Sequence, residues 1–227
     1  MNTLTNPPLS TLLERLFADA EATEATREQG AARVSPEGRA EPMNSATDYR
    51  ALYTQMKDIH LAVSRQTGIL LYMLARATGA RSIVEFGTSF GLSTLHLAAA
   101  LKDNGGGRVV STEFVPSKVE RARENMTAAG LSDLVEIREG DALQTLARDL
   151  PDTIDLVLLD GAKTLYTSVL SLLEPRLHAG TLIVADNADC CPDYLARVRS
   201  PSGGYVSIPF AGDVELSMKL GVSVPIR

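Results

Sequence analysis

Between Ser82 and Ala185 the chain repeats one pattern: a short, nearly all-apolar run, a turn, then a helix-length stretch. Ser82–Phe86, Arg108–Thr112, Val135–Arg138, Ile154–Leu159 and Leu182–Ala185 read as strands. They are β-branched and lack polar alternation, as strands covered on both faces require. Leu92–Leu101, Ser117–Ala129, Ala142–Leu150 and Leu165–Leu177 read as the helices between them. Parallel strands need crossovers of this kind, so the pattern restricts the chain to an α/β, doubly wound, mostly parallel sheet. The tail departs from it. Tyr205–Phe210 and Val214–Leu220 are strand-like and joined by Ala211-Gly212-Asp213, so a seven-stranded sheet ending in an antiparallel hairpin is expected.

Residues 1–50 have a different texture. Ser10 can cap a helix from Thr11 that aligns Leu12, Leu13, Leu16 and Phe17 on one face. Glu21 to Glu41 is polar and holds little apolar surface, which predicts a helical or mobile arm, or a lid, ahead of a domain over 51–227. A second helical pattern covers Asp48–Thr78, broken near Ser64–Gly68. With 227 residues, 44% of them hydrophobic, one continuous core is affordable. A net charge of −6 argues against a nucleic-acid partner, whose phosphates demand basic side chains. No apolar run reaches the roughly 20 residues needed to cross a bilayer. The first residues lack a basic-then-apolar layout, and Cys190 and Cys191 are adjacent, so a reducing, cytoplasmic location and a small-molecule partner are expected.

Open parallel sheets bind ligands outside the carboxyl ends of their strands. Gly87-Thr88-Ser89-Phe90-Gly91 follows the first strand. It fits both a G-x-S-x-G nucleophile elbow and a glycine-rich nucleotide loop. The elbow needs a late histidine, and His178 stands in no useful order; the loop lacks the third glycine of a dinucleotide fingerprint. Glu113 follows the second strand, where an acid receives the two ribose hydroxyls of an adenosine ligand, or is simply a solvated carboxylate. Asp141, in Gly140-Asp141-Ala142, could meet an adenine edge, cap the next helix, or do both. Asp160 and Lys163 follow the fourth strand, Asp186 and Asn187 the fifth. Asp160, Asp186 and Asn187 offer three hard oxygen ligands from adjacent strands, a set suited to Mg²⁺, with Mn²⁺ or Ca²⁺ as alternatives.

These residues resemble the class I S-adenosylmethionine-dependent O-methyltransferases of the metal-dependent catechol and caffeoyl-CoA type. The likeness covers about Ala62 to Gly221. It rests on Val84 to Ser93, Glu113, Gly140-Asp141-Ala142, Asp160-Gly161-Ala162-Lys163 and Ala185-Asp186-Asn187. Cys191 to Arg199 and Val214 to Lys219 resemble the catechol branch in particular. The resemblance implies a Rossmann-like fold and methyl transfer from S-adenosyl-L-methionine to a hydroxyl of a catechol-like phenolic acceptor. It implies metal ligation by Asp160, Asp186 and Asn187, and a catalytic base at Lys163. It implies donor contacts from Val63, Glu85, Gly87, Ser89, Ser93, Glu113, Asp141 and Ala142, with Glu215 orienting the second acceptor hydroxyl. A different acceptor, such as a hydroxylated tRNA base, or a non-catalytic donor-binding role are the alternatives, and monomer and homodimer are both compatible. The chain has no tryptophan, Ala162 and Gly161 stand where that branch carries larger side chains, and Thr67 stands at a lysine position. A differently lined acceptor pocket follows.

Overall fold

The computed structural model describes residues 2–31, 53–210 and 212–221. Seven strands form one sheet: β1 Ser82–Phe86, β2 Arg108–Glu113, β3 Val135–Glu139, β4 Ile154–Leu159, β5 Leu177–Ala185, β6 Tyr205–Phe210 and β7 Val214–Lys219. Their spatial order is β3-β2-β1-β4-β5-β7-β6. The pairs among β1 to β5 are parallel, while β7 runs antiparallel to both β5 and β6. The expected doubly wound sheet with its terminal hairpin is therefore present.

Successive strand residues feed opposite faces. Ile83, Val109, Leu156, Leu158 and Val184 pack on one side against helix α2 (Arg65–Ala77), α3 (Leu92–Asp103) and α4 (Pro116–Ala128). Val84, Val110, Val157, Leu159 and Ile183 pack on the other against α6 (Tyr166–Leu173) and α7 (Pro192–Arg199). The amino-terminal helix α1 (Leu9–Ala31) joins the first of these cores through Leu9, Leu12, Leu13, Leu16 and Phe17, all nearly inaccessible to solvent. Its apolar face thus serves the main domain, and Arg65 stacks over the Phe17 ring while pairing with Glu14 and Glu21. The rest of the expected arm, residues 32–52, lies outside the described residues.

Local chemistry explains the other departures. The helix after β3, α5, stops at Thr145. There the Arg138 guanidinium donates to the carbonyls of Thr145, Arg148 and Asp149, which satisfies acceptors that a longer helix would have used itself. β5 begins at Leu177, ahead of the apolar run. His178 to Thr181 form a bulge between the Ile154–Leu177 and Leu156–Leu182 pairs, so their polarity hides the strand. The helix after β4 starts as a tight turn over Lys163–Leu165 and ends where Pro175 removes a donor. The break expected near Ser64 is the start of α2, where Ser64 Oγ accepts from the Thr67 N–H at 3.0 Å. No helix among the described residues is long and apolar enough to cross a membrane.

Candidate active site

The strand order reverses between β1 and β4, and the crevice of the sheet opens there. The register pairs Phe86 with Leu159, so the residues that follow, Gly87 and Asp160, lie side by side. Asp160 N–H donates to the Phe86 carbonyl at 2.8 Å. Gly87 has φ +105°, and a Cβ there would stand 2.4 Å from the Asp160 carbonyl oxygen. Only glycine lets the loop cross the end of β4 so closely.

That loop forms one wall of a cleft that opens to solvent. Gly87, Ser89, Glu113, Asp141, Ala142 and Asp160 all line it, six of the residues anticipated from sequence. Glu113 is held by three backbone donors, Ser89 at 2.9 Å, Phe114 at 2.9 Å and Val115 at 3.0 Å. Burial raises its carboxyl above the ordinary range, and these bonds and Lys118 oppose the rise. Asp141 caps α5, accepting from the Leu143 N–H at 2.9 Å, and faces the cavity as well. Ser89 is held at φ 47°, and among the described residues its buried hydroxyl has no hydrogen-bond partner. No imidazole therefore activates it, which disposes of the nucleophile-elbow reading. The residue nonetheless lines the cavity.

Glu85, Ser93 and Val63 lie elsewhere. The Glu85 carboxylate is completely buried behind the loop, accepting from the hydroxyls of Ser93 at 2.6 Å, Thr94 at 2.5 Å and Ser111 at 2.5 Å. It ties β1, β2 and α3 together rather than lining the cavity. Ser93 borders a smaller adjoining pocket of about 200 Å³ with His60 and Ser89. Val63 is buried in the core and lines neither pocket. Burial pushes the Glu85 carboxyl up to about 7, against the three hydroxyl bonds. A carboxyl raised on folding stabilises fully below its unfolded value and loses that contribution as pH rises through 7. The Glu85→Gln variant should therefore lose up to about 3 kcal/mol of the wild-type decline in unfolding free energy between pH 5 and 8. Denaturant titrations at both pH values test this, and parallel profiles for the two proteins would refute it.

Beyond the cavity, the ends of β4 and β5 bring Asp160, Lys163, Asp186 and Asn187 together. Lys163 Nζ donates to Asp160 Oδ1 at 3.1 Å, to the Asp186 carbonyl at 3.2 Å and to Tyr166 Oη at 2.8 Å. Tyr166 Oη in turn donates to the same Asp186 carbonyl at 2.8 Å, so the lysine sits on a buried phenol–carbonyl platform. Burial, then the neighbouring charge of Asp160, pushes the Asp186 carboxyl up to about 7. Asp160 is raised too, by burial against the pull of Lys163. Two carboxylates driven to hold protons in this way fit a site that takes a cation between them. Asn187 sits next to Asp186 in a left-handed conformation, φ 48° and ψ 41°.

Among the described residues, no hydrogen bond joins Glu215 to this corner. It is buried on β7, where Arg199 donates to both carboxylate oxygens at 2.8 and 2.6 Å and Ser207 adds a third bond at 2.5 Å. Glu215 shares a face with Ser217, whose hydroxyl meets Tyr194 of α7. Five residues that the sequence reading passed over stand at the site. Tyr53, Phe86, Phe114 and Lys118 line the cavity, and Asp213 bonds Asn187. Lys118 is 2% exposed, its ammonium 5.5 Å above the Phe90 ring. A lysine at an otherwise core-facing helix position is a signal that could have found it. The Phe86 ring occupies the space beside Gly161, where a Cβ would meet it at 2.4 Å. Of the histidines, His96 is a packing residue bonded to the Leu92 carbonyl and His178 pairs with Asp155 at the surface. His60 stacks on Phe90 at 4.0 Å beside the smaller pocket.

A doubly wound sheet with an acidic strand end facing a glycine loop, and a D-x-x-K corner beside it, is the arrangement that the resemblance to Rossmann-like methyltransferases implies. A methyltransferase-domain family model matches residues 84–188. Catechol O-methyltransferase of Niastella koreensis is 36% identical over 130 residues, 56% of this chain and 58% of that protein. Catechol O-methyltransferase B of Danio rerio is 31% identical over 179 residues, 75% of this chain and 66% of that protein. The O-methyltransferase TomG of Streptomyces achromogenes, solved in complex with S-adenosylmethionine, superposes with a TM-score of 0.64 at 25% identity, over 89% of this chain and 99% of that one. The chain thus spans a little under two thirds of the curated relatives it matches. These likenesses support a class I S-adenosylmethionine-dependent O-methyltransferase.

Proposed function

We propose that this chain transfers the methyl group of S-adenosylmethionine to one hydroxyl of a small, catechol-like acceptor with vicinal oxygens, in a reaction that needs a divalent cation, Mg²⁺ in the first instance. The observation that carries the reading is the Asp160–Lys163–Asp186–Asn187 corner set against the cavity walled by Gly87, Ser89 and Glu113. Glu113 is fixed by its three N–H donors with its carboxylate towards the cavity, ready to accept ribose hydroxyls. Ser89 and the capping Asp141 are polar residues on the donor wall, and Tyr53, Phe86 and Phe114 supply aromatic lining.

No three His, Cys, Asp or Glu side chains among the described residues form a ready metal cage. Two carboxylates and an amide are nevertheless the sparse oxygen set that Mg²⁺ accepts, since it keeps most of its positions for water and substrate. When bound there, the cation supplies charge that stabilises an ionised acceptor oxygen. A phenol of pKa near 10 is mostly protonated at neutral pH, so a base must take its proton. We assign that task to Lys163, a reading supported by the hydrogen bonds of its nitrogen to Asp160, Tyr166 and the Asp186 carbonyl. The buried setting, with the lysine side chain 9% exposed, excludes competing water from the transfer.

The test is product formation from labelled S-adenosylmethionine and a panel of catechols, run with Mg²⁺ and with chelator. Methylated product with the metal alone is the expected result. Product undiminished in chelator would remove the cation from the reaction, and donor binding without any product would move the acceptor to another chemical class.

A further inference from the structure

Asn187 is a weak metal ligand unless its amide presents the right atom. The carbonyl oxygen coordinates a hard cation and the NH₂ cannot, yet the two ends are nearly isosteric and the side chain is half-exposed. Something must therefore choose between two orientations that packing alone distinguishes poorly.

The register of the carboxy-terminal hairpin supplies it. β5 and β7 pair antiparallel up to Ala185 opposite Glu215. Continued two residues further, the same register sets Asn187 opposite Asp213, in the turn that leads into β7. Two bonds close the gap there: Ala188 N–H donates to the Asp213 carbonyl at 2.7 Å, and Asn187 Nδ2 donates to Asp213 Oδ2 at 3.1 Å. An ionised carboxylate has no hydrogen to give, so it accepts only, and the amide must turn its NH₂ towards it. Oδ1 then faces away from Asp213. The backbone bond is what brings the carboxylate within reach, since Asp213 is otherwise an exposed turn residue. Its charge also lies within electrostatic range of Asp160 and Asp186.

We infer that Asp213 is a positioning residue of the metal corner, fixing the Asn187 amide with its oxygen towards Asp160 and Asp186. This rests on the cation-dependent reading proposed above. Residues that orient a ligand from behind commonly change metal affinity by about 10–100-fold when removed. Asp213 touches neither donor nor acceptor in this role, and it acts only through Asn187.

The experiment is Mn²⁺ binding, followed by electron paramagnetic resonance on the full chain, for the wild type, Asp213→Ala and Asp213→Asn. Alanine removes the acceptor, and asparagine retains one in its side-chain carbonyl. The expected result is a loss of tenfold or more in Mn²⁺ affinity for Asp213→Ala, with Asp213→Asn staying within about threefold of wild type. Calorimetric S-adenosylmethionine binding in chelator should be equal in all three, which shows the fold intact. Unchanged Mn²⁺ affinity in Asp213→Ala overturns the inference. Equal weakening in both variants overturns it as well, because charge rather than amide orientation would then be the contribution. A wild type that binds no Mn²⁺ defeats the cation-dependent reading itself, and this inference with it, and so is distinguished from the other two results.

Discussion

Replacing Lys163 by methionine should lower methyl-transfer turnover by about 10²–10⁴-fold, the usual contribution of a positioned general base, while donor affinity stays as it was. Donor affinity is spared because Lys163 contacts Asp160, Tyr166 and the Asp186 carbonyl, not the wall formed by Glu113 and Ser89. Loss of activity alone would not prove a base, since the ammonium also balances the charge of Asp160 at 3.1 Å. Arginine separates the two functions. It keeps the positive charge and can pair with Asp160, but it does not give up its proton in proteins. A base therefore predicts that Lys163→Arg is as slow as Lys163→Met, whereas a purely electrostatic role predicts recovery in Lys163→Arg. Raising the pH provides a second check. As an acceptor phenol with pKa near 10 begins to ionise on its own, the rate of the methionine variant should climb towards that of the wild type. Turnover within a few-fold of wild type at pH 7, measured with saturating donor and Mg²⁺, would take Lys163 out of the chemistry.

What made this site legible was its dependence on strand ends. Gly87, Glu113, Asp160, Asp186 and Asn187 each follow or close an apolar run, and a doubly wound sheet carries such positions to one edge whatever the loops do. Sequence could not show which way a side chain at that edge turns. Glu85 and Glu113 both stand on strands beside the glycine loop. Yet Glu85 is drawn inward by three hydroxyls, and Glu113 is held at the cavity by three backbone N–H groups. The bonding of Glu215 was hidden for a related reason. Its position one residue into β7 puts it on the α7 side, and Arg199, distant in the chain's local pattern, claims both its oxygens. Asp213, one pairing step nearer the mouth, took the adjacent place, but a turn aspartate carries no periodic signal to mark it. The amino-terminal helix shows the same limit in the fold. Its Leu12, Leu13, Leu16 and Phe17 stripe was visible, whereas the surface that buries it, on α3 and α4, is created only by tertiary packing.

Gly87→Ala is the second substitution with a large expected effect, and it tests the coupling between the two halves of the site. At φ +105° the backbone is in a region that side chains rarely adopt, and the new Cβ would sit 2.4 Å from the carbonyl oxygen and 2.6 Å from the carbonyl carbon of Asp160. Those atoms are backbone, pinned by the Asp160 N–H to Phe86 carbonyl bond at 2.8 Å, so no side chain can swing aside. The loop and the end of β4 must part. Strain and lost packing of this kind cost about 2–4 kcal/mol of stability. Because the same displacement moves Ser89 and Glu113 away from Asp160, donor affinity and metal-dependent turnover should fall together. Gly79 provides the control: it too has a positive φ, +63°, but nothing lies within 4 Å of a Cβ built there. Gly79→Ala should therefore show only the conformational cost, about 1 kcal/mol, with donor binding unchanged. Thermal unfolding and donor calorimetry on both variants separate close approach from backbone conformation. If Gly87→Ala bound S-adenosylmethionine as the wild type does, the contact between the loop and β4 would not be what sets the donor beside the Asp160–Lys163 corner.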